Sequence, residues 1–133
     1  MKKVVLIARF CMGLPLFVLG LNGFLEFMEV PGEHPADALS FLHALGDSIY
    51  LFPLVNGIEV LCGLLLLLGA FVPLALVLMA PLLVNFVCFH VFLDDPQNGK
   101  IAYILVGLEL FLVLAYGSYF RGFFSPRAKS RFQ

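Results

Sequence analysis

The chain has 133 residues, of which 62% are hydrophobic and 13% charged, with a formal net charge of −1 and a mean hydropathy of +1.02. Soluble domains carry about a quarter charged residues, so that class is excluded, and with no basic stripe nucleic-acid binding has no support. The length accommodates a single membrane domain over 1–133.

The first apolar run extends roughly from Val4 to Phe27. Lys2 and Lys3 before it resemble the start of a signal peptide. Arg9 interrupts the run early, however, and no small-x-small cleavage site follows, so a retained span is expected. Gly13, Gly20 and Gly23 favour close helix approach in lipid, and Pro15 is expected to kink the span. Arg9 is expected to snorkel to the membrane surface. In the connection from Met28 to Tyr50, the stretch Val30 to Pro35 has extended turn chemistry. Ala38, Leu39, Phe41, Leu42 and Leu45 then recur at helical spacing. They predict a short amphipathic helix over Pro35 to Leu45, stopped by Gly46, lying on the outer surface or capping the bundle.

From Phe52 to Leu93 the chain runs 42 residues with a single carboxylate, Glu59, and no Lys or Arg. That is twice the ~20 residues a membrane helix needs. Gly69 to Pro73 supplies a turn, which predicts a hairpin of spans Leu51–Leu68 and Val72–Leu93, with a second internal proline at Pro81. A fourth span is expected over Ile101 to Tyr119, followed by a basic tail over 121–133. The fold class is therefore an all-α integral membrane protein, a four-transmembrane-helix bundle.

Lys2, Lys3 and Arg9 flank span 1, and Arg121, Arg127, Lys129 and Arg131 follow span 4. Four spans put both termini on one side, and positive-inside asymmetry identifies that side as cytoplasmic. The tail, with Phe123, Phe124 and Phe132 interleaved, is expected to lie on the anionic leaflet, its cations near lipid phosphates.

Position along each span converts to depth at about 1.5 Å per residue. Glu59, Asn85 and Glu109 each fall about 12 Å below the outer edge, Asn22 and Asn56 about 8 Å, and His90 about 5 Å. Asn56 and Glu59 share a helical stripe, whereas His90 points about 140° away from Asn85. The six residues are candidates for a ligand- or proton-binding pocket in the outer half, or for interhelical hydrogen bonds. Two carboxylates at one level in low dielectric cannot both be ionised cheaply, so at least one is expected to carry a proton. His34 and His43 have no ligand-like spacing, so no metal site is expected. Cys11, Cys62 and Cys88 lie in separate apolar segments and read as packing residues.

The order Arg9-Phe10-Cys11-Met12-Gly13 and Gly20-Leu21-Asn22-Gly23-Phe24 resembles the opening span of the DoxX family. Pro53 to Gly63, Leu64 to Gly69, Phe71, Pro73-Leu74-Ala75 and Pro81 resemble that family's central hairpin. Asn85, Phe89-His90 and Leu93-Asp94 resemble the third span of a subgroup. Many members carry a lysine after the first-span glycine, where this chain has Gly23-Phe24. The resemblance implies a bacterial inner-membrane protein. It further implies a membrane subunit or accessory of an oxidoreductase, a quinone-linked complex or a redox-stress complex. Quinone or another lipid-soluble molecule is the ligand this suggests, with membrane lipids, an oxidoreductase partner or a second copy of the chain as associates. No haem, flavin or iron–sulfur ligation pattern accompanies it, and the catalytic residues stay unassigned. The alternatives are a non-enzymatic scaffold or assembly protein and, behind it, a small proton-coupled transporter using Glu59 and Glu109.

Overall fold

The computed structural model describes residues 1–29, 32–127 and 129–131. Val30 and Pro31 of the expected turn, and Phe132 of the tail, lie outside the described residues. Helix α1 spans Lys2–Leu25, α2 Ala36–Asp47, α3 Leu51–Leu68 and α4 Val72–Phe92. A 3-10 turn over Pro96–Gly99 leads into α5, Lys100–Ala115, followed by the short α6, Gly117–Phe120, and a second 3-10 turn, Arg121–Phe124. Four helical segments are long and apolar enough to cross a membrane, and the chain is a multi-pass membrane protein built as an all-α four-helix bundle.

The four long helices form a ring. Helix α1 packs on α3 and α5, and α4 packs on the same two, so α1 lies diagonal to α4 and α3 diagonal to α5. Met12, Leu16, Leu66, Leu76, Met79, Leu83 and Leu112 fill the centre. Ile7, Leu14, Leu54, Val84, Ile104 and Leu110 face outward and exposed, which suits lipid tails as solvent. Pro15 and Pro81 both sit inside unbroken helices. Membrane helices tolerate proline because neighbouring helices and local adjustments satisfy the freed carbonyl.

The α1–α3 contact is the most extensive in the bundle, and glycine explains its closeness. A Cβ on Gly13 would lie 2.9 Å from the Gly63 carbonyl oxygen, and one on Gly20 would lie 2.8 Å from the Val60 backbone nitrogen. The backbones touch where side chains would hold them apart.

The α3–α4 hairpin turns as the sequence predicts. Gly69 adopts φ 71°, its N–H donates to the Leu66 carbonyl, and the Ala70 N–H donates to that of Leu65. This is a Schellman motif, and the left-handed residue at its centre favours glycine. Arg9 adds to it. Its Nε donates to the Leu66 carbonyl at 3.0 Å, and its guanidinium packs against Gly69. The side chain expected at the membrane surface therefore also caps a neighbouring helix C-terminus, where a cation suits the helix dipole.

The fourth span is shorter than expected. Helix α5 stops at Ala115, and α6 begins after Tyr116, where Tyr116-Gly117-Ser118 combines residues of modest to poor helix propensity. Helix α2 runs through Gly46 to Asp47, two residues beyond the expected end. It packs on α3, and its Phe41 ring lies 5.5 Å from that of Phe89 on α4. It caps the end of the bundle away from the α3–α4 turn. Ser48 then accepts a hydrogen bond from the Leu51 N–H at 2.9 Å, tying down the start of α3.

Candidate functional site

The bundle does not collect the six polar candidates into one outer-half pocket. Asn22 is occupied at the exit of α1. It accepts a hydrogen bond from the Met28 N–H at 2.7 Å and donates to the Met28 carbonyl at 3.0 Å, closing the turn in which Glu26 adopts φ 48°. Asn56 and Glu59 face α1 across the glycine seam. The Asn56 amide fills the space a Cβ on Gly23 would need, and the Glu59 Cβ lies against Gly20. Both residues are buried, and the Asn56 Nδ2 has no hydrogen-bond partner among the described residues. Asn85 is exposed on the outer surface of α4. Matching depth fixed its height but not its direction.

Glu109 is the residue with chemistry to spare. It lies nine residues into α5, past the helix midpoint, and is 6% exposed. Both carboxyl oxygens are buried without a hydrogen-bond partner among the described residues. Glu109 is one of the residues around an open pocket of about 210 Å³, with Leu76, Val77 and Ala80 of α4, Val113 of α5, and Phe120, Phe123 and Phe124. The α4 residues belong to the half of that helix nearer the α3–α4 turn, so this pocket lies away from the end that α2 caps. It is apolar except for one carboxyl. A buried polar group left unpaired costs about 1–3 kcal/mol, which a ligand with a complementary donor or acceptor would recover. An apolar cavity of ~150 Å³ accepts a benzene ring, so a single-ring head group fits.

A second polar centre sits at the end that α2 caps, and His90 belongs to it. Asp94, just beyond α4, has a fully buried side chain. His34 Nδ1 lies 3.0 Å from its Oδ1, and His90 Nδ1 lies 2.9 Å from its Oδ2. Asn98 Nδ2 donates to Oδ1 at 3.2 Å and to the Glu33 carbonyl at 3.4 Å. Burial alone would disfavour the Asp94 charge. The hydrogen bonds from His34, the Asp95 backbone, Asn98 and His90 outweigh it and hold this carboxyl well below the usual carboxylate range. Gly99 makes room for the arrangement, since a Cβ there would lie 2.8 Å from the His90 Cβ and 2.7 Å from the Tyr103 ring. The His90–Asp94 half is readable as an i, i+4 pair, but His34 arrives from 60 residues away. Among the described residues no group of three His, Cys, Asp or Glu side chains is arranged to hold a metal ion.

Arg121, Arg127, Lys129 and Arg131 are all exposed at the end opposite the Asp94 cluster. No protein-family model, curated protein or solved structure matches the chain, so its function has to be read from its own side chains.

Proposed function

We propose that the chain is a DoxX-like membrane subunit that holds a lipid-soluble ligand of the quinone class against Glu109, in support of a partner oxidoreductase. The observation that carries this reading is the buried Glu109 carboxyl, without a hydrogen-bond partner among the described residues, beside an apolar, phenylalanine-lined pocket. A neutral carboxyl donates to a quinone carbonyl, and an ionised one accepts from a quinol hydroxyl. The cavity suits the ring, and an isoprenoid tail would extend into lipid. The order of short motifs along the chain supports the family reading. The basic residues at both chain ends support a bacterial inner-membrane location with both termini in the cytoplasm.

The experiment is to purify the full chain in mild detergent and identify co-extracted lipid-soluble molecules by mass spectrometry. A quinone should accompany the protein. Glu109→Leu should lower its occupancy about tenfold, the loss of one hydrogen bond to a charged or strongly polar group. If no quinone is retained, and added quinone does not bind, the reading is wrong.

A further inference from the structure

At the end of the bundle that carries both termini, a groove of about 480 Å³ opens between the first turns of α1 and the junction of α5 with α6. Its polar lining is Lys2, Arg9, Tyr116 and Tyr119, and Val5 and Leu6 give it an apolar wall. The volume falls in the range of ligand-binding clefts, about 300–1,000 Å³. Arg9 is held in place by its hydrogen bond to the Leu66 carbonyl, yet the ion pairs among the described residues are confined to Asp94 at the opposite end. The sequence explains why. No Asp or Glu occurs in residues 1–25, and Glu109 is the one carboxylate in residues 96–133. All eight Lys and Arg residues nevertheless lie in these two segments, and all but Lys100 belong to this end. The Arg9 guanidinium, about 10 Å along the helix from Lys2, has the Leu66 carbonyl as its hydrogen-bond partner and no carboxylate paired with it among the described residues.

We propose that this groove is a binding site for an anionic phospholipid. The phosphate sits between the Arg9 guanidinium and the Lys2 ammonium, with the tyrosine hydroxyls donating to it, and an acyl chain runs along Val5 and Leu6. The planar guanidinium fork matches phosphate oxygens in pairs. Tyrosines at the membrane–water boundary place an apolar ring in lipid and a hydroxyl in the headgroup layer. The site is independent of the Glu109 cavity, which lies between α4 and α5.

The test uses the full chain, purified in detergent and stripped of native lipid. It is titrated with phosphatidylglycerol and with phosphatidylcholine of the same acyl chains, and bound lipid is counted by native mass spectrometry. Phosphatidylglycerol should be preferred about fivefold, the value of one charge near the membrane surface. Lys2→Gln combined with Tyr119→Phe should abolish that preference, because both side chains line the groove and are exposed. Lys3→Gln, which removes the same charge beside the groove, should preserve it. Arg9→Gln is not decisive, since it also removes the cap on Leu66. Equal binding of the two lipids would overturn the proposal. So would an effect of Lys3→Gln as large as that of the Lys2→Gln, Tyr119→Phe double variant, which would mean diffuse surface charge. Displacement by equimolar glycerol 3-phosphate would also overturn it, in favour of a free-anion site.

Discussion

Asp94 shows how one residue can organise a whole end of a membrane protein. Its carboxyl titrates well below its ordinary value of 3.8, so the ionised form favours the folded arrangement. The sign follows from linkage: the contribution is complete above the unfolded value and is lost as pH falls through the folded value. Stability should therefore hold down to about pH 4 and decline in more acidic solution, and Asp94→Asn should remove that acid-dependent part of the profile. Thermal unfolding followed against pH checks both. At neutral pH, Asp94→Ala should cost roughly 1–3 kcal/mol, because three side-chain partners lose a buried acceptor. Glu109 is a contrasting case, since its charge or proton finds no partner within the described chain. The sequence identified it as a buried oddity, but not its surroundings. Phe120, Phe123 and Phe124 reach the pocket from beyond the helix break at Tyr116, which no apolar periodicity foretells.

At the scale of elements, the α1–α3 seam is set by what glycine leaves out. Gly23→Ala should force the Asn56 side chain from its place and cost about 1–3 kcal/mol, the usual range for overpacking. Combining it with Asn56→Ala should return part of that loss. A double-mutant cycle in denaturant or thermal unfolding reads the coupling, and full additivity would show that Asn56 does not occupy that space. Gly20→Ala has no such rescue, because the group it meets at 2.8 Å is the Val60 backbone nitrogen. Span number and the α3–α4 turn were legible, since long apolar runs and a glycine–proline turn leave few alternatives. Rotation of each helix about its axis was not. Depth arithmetic placed Asn85 level with Glu59 and Glu109, yet Asn85 faces outward, because packing against neighbours decides azimuth. The 140° between Asn85 and His90 did carry information, for with Asn85 outward His90 turns toward Asp94.

At the scale of the molecule, the ring order sends α3 and α5 to opposite corners. Glu59 and Glu109 therefore belong to different seams, one against α1 and one facing α4. The end that α2 caps is joined differently, through the Asp94 cluster. His34→Ala should loosen the connection between α1 and α2 while the melting of the bundle changes little, because local openings draw on local contacts. Hydrogen exchange resolved along the chain would show faster exchange in 26–35 alone; uniform acceleration would contradict it. The cluster also bears on how the protein is made. His34 belongs to the stretch before the second span, whereas Asp94, His90 and Asn98 follow or close the third. During synthesis the first two spans, α1 and α3, can pair through their glycines as soon as both are inserted, but the histidine between them has no carboxylate to meet until the third span has followed. The latch thus closes only on a chain whose later spans have reached the membrane in the correct orientation, so that a protein stalled or inverted halfway keeps an open, protease-accessible outer segment.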